Sequence, residues 1–159
     1  MTPSSPYLAQ RCGEIDSAIA EAEQWAAGND KLGAYLAGYL TVVICGVVED
    51  CVEHLIGNRA GRAQDQELQA FVHKTIHERF RNPDYNLIST TLGAFSSEYS
   101  RAFNQRIRPD ERDALDSMVA NKNNLAHVGA RKQQSTIIDV REYYQRVKQI
   151  LTVLESILG

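Results

Sequence analysis

The chain has 159 residues, 43% of them hydrophobic and 23% charged, an ordinary globular composition that is long enough to bury one core and predicts a single domain over residues 1–159. A formal net charge of −3 and a pI near 5.8 exclude attachment to nucleic acid by overall charge, so any RNA contact has to come from local basic patches. Three cysteines, Cys12, Cys45 and Cys51, are odd in number and form no Cys-x-x-Cys pair, which points to reduced, buried thiols in a cytoplasm and away from a disulfide framework.

Met1 to Pro6 carry neither a basic flank nor an apolar run, so no secretory leader is expected there. Ser5 before Pro6 reads as an N-cap with proline at the first helical position, opening a helix that places Leu8, Cys12, Ile15, Ile19, Ala22 and Trp25 inside. Gly28-Asn29-Asp30 ends it. From Leu32 to Val48 no residue is charged, a run approaching a membrane span, but Gly33, Gly38, Gly46, Tyr35, Tyr39 and Thr41 dilute it. Glu49, Asp50 and Glu53 follow directly, with no flanking basic cluster, so the segment is read as the buried spine of a helical bundle and no membrane contact is expected.

Each interior glycine costs a helix about 1 kcal/mol relative to alanine, so Gly38 and Gly46 are expected where another backbone comes close. Glu49 lies on the same stripe as Thr41, Val42 and Cys45. A carboxylate there needs a partner, in the Lys122 region or a core arginine, unless it sits at the helix edge in water.

Gly57 to Gly61 predicts a break. Asp65 to Phe80 then predicts a shorter helix with Leu68, Phe71, Val72, Ile76 and Phe80 inside. Its His73 and His77, four apart, have the spacing of a metal-ligand pair, but Lys74 beside them and the lack of a third ligand read as an exposed face. Asn82-Pro83-Asp84 predicts the next start, leading into Leu87, Ile88, Leu92, Phe95, Tyr99 and Phe103 on one helix. Arg101, Arg106 and Arg108 gather at its end, either compensating a helix C-terminus or forming, with Arg106 and Arg108, a phosphate-contacting patch.

Pro109 opens a helix carrying Leu115, Met118, Val119 and Leu125, and its pattern runs out in the polar stretch Asn121-Lys122-Asn123-Asn124-Leu125-Ala126-His127-Val128-Gly129. Asn123 and His127, four apart, share a helix face, so the amide can fix the imidazole tautomer. Lys122 and His127, five apart, diverge by about 140°. A second copy of the chain can bring one to the other. The loop beyond is basic, with Arg131 and Lys132, and Thr136 with Asp139 resembles a capping box. The last helix sets Ile137, Val140, Tyr144, Val147, Leu151, Leu154 and Leu158 at spacings of three and four, a core stripe. With no strand pattern anywhere, the expected fold is an all-α antiparallel bundle of five or six helices.

Lys-Asn-Asn-Leu-Ala-His with glycine close behind resembles the signature of the HEPN superfamily, nearest to the RiboL-PSP-HEPN branch. Glu49 inside an apolar helix, and a closing helix opened by Thr136-Ile137-Ile138-Asp139 and carrying Tyr143, extend the resemblance over about residues 32 to 158. It implies a metal-independent endoribonuclease acting on single-stranded RNA, without cofactor, whose two motifs face each other in the cleft of a homodimer. Lys122, Asn123 and His127 would be its catalytic residues, Glu49 and Asn124 would support them, and Arg106, Arg108, Arg131 and Lys132 would bind RNA. A toxin or phage-defence component would also have an antitoxin or other protein partner. Where the family's ribonucleases carry arginine this chain has Lys122, which keeps the charge but loses the planar fork that grips phosphate with two hydrogen bonds. That departure leaves a second reading open, a non-catalytic HEPN module for dimerisation or partner binding. A third is an ordinary bundle in which His127 is a satisfied core histidine.

Overall fold

The computed structural model describes residues 3–128 and 135–159, which form seven α-helices: α1 (Pro6–Trp25), α2 (Asp30–Gly61), α3 (Gln66–Arg79), α4 (Tyr85–Phe95), α5 (Ser97–Arg106), α6 (Pro109–Val128) and α7 (Ile137–Leu158). The expected all-α bundle is present, with one helix more than expected. The extra helix arises at Ser96, whose extended backbone ends α4 and whose hydroxyl accepts the Glu98 N–H at 3.2 Å to start α5. The spacing of Leu92, Phe95, Tyr99 and Phe103 carries across that single residue, so periodicity alone does not reveal the break.

α2 is the centre of the bundle, packed by α1, α3, α6 and α7. It is long and apolar enough to pass for a membrane span by length and composition, yet Leu40, Ile44, Val48, Cys51 and Val52 are all buried among the other helices. The helix also runs through Gly57 to Gly61, past the expected break. The cost of a helical glycine, about 1 kcal/mol, is smaller than the return from burying Leu55, Ile56 and Ala60 on the same turns. At its start, the turn places Gly28 at φ +75°, and Asn29 caps α2 by accepting the Leu32 N–H at 3.0 Å.

α7 buries all seven residues of the predicted stripe, and its capping box is complete: Thr136 Oγ1 accepts the Asp139 N–H, and the Asp139 carboxylate accepts the Thr136 N–H at 2.7 Å. Those bonds favour the carboxylate and hold Asp139 below the usual aspartate range. α1 lies against α2 and α7 through Leu8, Cys12, Ile15, Ile19 and Ala22. Trp25, expected inside, is exposed, because the buried stripe of α1 stops one turn earlier at Ala22. Two polar ties join α1 to α7: the Tyr144 hydroxyl donates to the Cys12 carbonyl at 2.8 Å, and Lys148 reaches both Asp16 oxygens at 2.8 Å. Ser5 precedes α1 as expected but makes no side-chain cap. Instead the Ser4 and Ser5 N–H groups donate to Glu155 of α7.

α3 departs furthest from expectation. It packs on α2 alone, none of its described side chains is fully buried, and Leu68 and Phe71 are 46% and 66% exposed. Phe80, just past its end, is buried.

Candidate functional site

The polar motif occupies the last turns of α6, and the preceding turns fix where it points. Ala114, Leu115, Met118 and Val119 are buried, anchoring α6 against α2 and α7. Glu111, also buried, accepts the Arg108 N–H at 2.9 Å and pairs with the Arg108 guanidinium at 3.0 Å, so the start of the helix is capped by its own first turn. With that half held, the other half lies along α2. Leu125 rests on Gly38, where an added Cβ would stand 3.3 Å from Leu125 Cδ2. The neighbour at Gly38 is therefore a side chain, where another backbone was expected. Gly46 has open space around it, so the same expectation fails there.

Lys122 is half-buried and makes no ion pair with a described residue. Its positive charge favours the Cys45 thiolate, but burial outweighs it and pushes that thiol up to about 11, so Cys45 stays neutral. Glu49, one turn beyond Cys45, accepts the Asn82 backbone N–H at 3.3 Å and joins no ion pair among the described residues. The partner expected for this carboxylate is thus a loop amide between α3 and α4, neither Lys122 nor a core arginine. Asn82 adopts φ 52°, an uncommon conformation that asparagine tolerates better than most residues.

Asn123 and Asn124 are exposed. His127 follows Asn123 by one turn on the helical backbone, while its side chain, with Gly129, Arg131 and Lys132, lies outside the described residues. Asn121 Nδ2 donates to Ser135 Oγ at 3.1 Å, tying the end of α6 to the residue before the α7 cap. That tether brackets the basic loop, and only its position next to Lys122 marked it in the sequence.

The structure does not bring Arg106 and Arg108 to the motif. They stand at the opposite end of α6, with Arg108 some 21 Å from Lys122 at 1.5 Å per residue. Arg106 donates to Ser156 Oγ at 2.7 Å, and Arg108 pairs with Asp110 and Glu111. Among the described residues no group of three or more histidine, cysteine, aspartate or glutamate side chains is placed to hold a metal. His77 instead lies 3.4 Å from Glu53.

One feature beside the motif had no sequence signal beyond the uncharged run. Tyr35, Tyr39 and Val42 of α2 are 43%, 63% and 44% exposed. Tyr35, Gly38 and Val42 stand at i, i+3 and i+7 and share a face, so this apolar surface flanks the point where Leu125 meets α2.

Comparison with curated proteins and with solved structures gave no match. A family model described as RiboL-PSP-HEPN matches residues 7–159, taking in α1 as well as the segment that resembles the family by motif, and the chain belongs to that family.

Proposed function

We propose that this chain is a metal-independent endoribonuclease that cuts single-stranded RNA in a cleft shared by two copies. The observation that carries the reading is the position of Lys122, Asn123 and His127 on the last turns of α6, beside the exposed apolar surface of Tyr35, Tyr39 and Val42. Positions 122 and 127 lie about 140° apart around one helix, whereas a two-fold axis passing near that surface would bring position 122 of one copy towards position 127 of the other.

In such a cleft one His127 takes the proton of a ribose 2′-hydroxyl while the oxygen attacks the adjacent phosphorus. The bond from phosphorus to the 5′-oxygen breaks, and the other His127, protonated, gives its proton to that leaving oxygen. The products are a 2′,3′-cyclic phosphate and a 5′-hydroxyl. Lys122 stabilises the charge gathering on the phosphate, and Asn123 orients the imidazole or donates to a phosphate oxygen. Arg131 and Lys132 extend the cationic surface along the strand. In the cell we place the protein in the cytoplasm as a toxin or defence component restrained by a protein partner.

The test is cleavage of labelled single-stranded RNA, with transfer RNA in the panel, by wild type and by His127→Ala in the presence of chelator. Cleavage that chelator does not touch and that His127→Ala abolishes is expected. A second reading, a non-catalytic module for dimerisation or partner binding, is favoured by one observation, lysine at position 122 in place of arginine. It predicts no cleavage by any variant, and weakened association when Lys122 is reversed in charge.

A further inference from the structure

Away from the motif, α3 leans on α2 alone while α4 and α5 stand across a gap, and the gap is a groove of about 660 Å³. Its floor and walls are apolar: Leu68, Phe71, Val72 and Ile76 on one side, Phe95 and Tyr99 on the other. Leu68 and Phe71 remain 46% and 66% exposed, although they sit at helical spacing in a segment patterned to bury them. The charged residues lining the groove are Arg59 and Arg62, with no carboxylate among the lining side chains. Arg59 lies over the Tyr99 ring at 5.6 Å, Arg62 donates to the Gly159 carbonyl at 3.3 Å, and neither pairs with an acidic group among the described residues.

We propose that this groove docks an amphipathic helix of a protein partner, apolar on one face and acidic on its flank. A trench walled by helices accepts another helix by ridges into grooves, with apolar anchors at i, i+3, i+4 and i+7 seated between α3 and α5. The two arginines lining it set the sign of the partner's flank, because a basic flank there would face two guanidinium groups with no carboxylate side chain among the described lining residues. The groove begins at Arg59, some 30 Å along α2 from Gly38 and the motif, so a helix seated in it leaves the proposed cleft open. The inference is independent of ribonuclease activity.

The experiment uses the full chain and two designed amphipathic helical peptides with identical leucine and phenylalanine faces, one flanked by glutamate and one by lysine. Binding is followed by fluorescence anisotropy, and the site by methyl NMR shifts of Val72, Ile76 and Leu68. The acidic peptide is expected to bind at least about tenfold more tightly than the basic one. Phe71→Glu, a change at an exposed position that circular dichroism should show folded, abolishes binding, and Arg62→Glu reverses the preference. Equal binding of both peptides, shifts elsewhere on the molecule, or no binding by either at about 1 mM would overturn the proposal. So would a dimer, seen by sedimentation, that Phe71→Glu dissociates, since the occupant would then be a second copy of this chain.

Discussion

α7 and α3 carry the same kind of apolar spacing and meet opposite fates. In α7 the stripe from Ile137 to Leu158 is buried, because α2, α6, α5 and α1 all pack on that helix. In α3 the residues Leu68 and Phe71 stay in water, because among the described residues α2 alone packs on that helix. A periodic pattern states which face a helix offers; burial depends on how many neighbours arrive to cover it. The end of α6 sits between these extremes, held along α2 by Leu125 while Asn123 and Asn124 face solvent. Burial is densest on α2 and α7, and exposed polar or apolar side chains remain at the end of α6 and beside α3.

The contrast can be broken or sharpened by substitution. The largest effect is expected at the end of α6, where His127→Ala should lower RNA cleavage by about 10²–10⁴-fold while the thermal midpoint stays within a few degrees of wild type. Unfolding of that variant would instead mark His127 as a core histidine. In α7, Leu151→Ala removes a fully buried side chain and should cost about 2–5 kcal/mol in denaturant unfolding. A loss below 1 kcal/mol would mean that the stripe is not the main source of stability.

At the start of the same helix, Thr136→Ala removes the cap and should cost about 0.5–2 kcal/mol. The stabilisation from Asp139 in this box has a defined pH sense. Its folded pKa is depressed, so the contribution is fully present above the unfolded value of about 3.9 and is lost as pH falls through the folded value. Unfolding curves of wild type and Asp139→Asn should therefore converge on acidification. The smallest effect is expected in α3, where Phe71→Ser should move stability by no more than about 0.5 kcal/mol, since the ring is already in water. A cost of several kcal/mol would show that Phe71 is covered in solution.

The same physics explains what the sequence made legible. Local signals are the legible ones: the proline start of α1, the turn at Gly28, the Thr136–Asp139 box and the α7 stripe each depend on residues within a turn or two of one another, although the side-chain cap expected from Ser5 is not made. The break at Ser96 was missed because one extended residue does not disturb the spacing on either side. The run of α2 through Gly57 was missed because its helical state is decided by packing of Leu55, Ile56 and Ala60. Long-range partners were the least legible. Glu49 meets a backbone amide of Asn82 in a distant loop, and Arg106 and Arg108, close to the motif helix in sequence, stand at its far end in space. The motif itself is visible as a cluster of polar residues ending an apolar pattern, but that Leu125 lies over Gly38 depends on how α6 crosses α2.

The proposed cleft also requires two copies. Tyr39→Glu places a charge on the surface beside Gly38, and sedimentation should show it to be monomeric and inactive while folded. A wild-type monomer at high micromolar concentration, or a dimer whose interface excludes residues 121–129, would contradict the shared site.

The most direct test of the central claim is cleavage of labelled single-stranded RNA, in chelator, by wild type, Lys122→Arg and Lys122→Ala. If the site is a ribonuclease in which an ammonium stands for a guanidinium, wild type cuts to leave a 2′,3′-cyclic phosphate. Lys122→Arg cuts faster because the planar fork grips the phosphate with two hydrogen bonds, and Lys122→Ala loses activity. No cleavage by any of the three, across a panel that includes transfer RNA and with no copurifying partner, would contradict the account and leave the partner-binding module in its place.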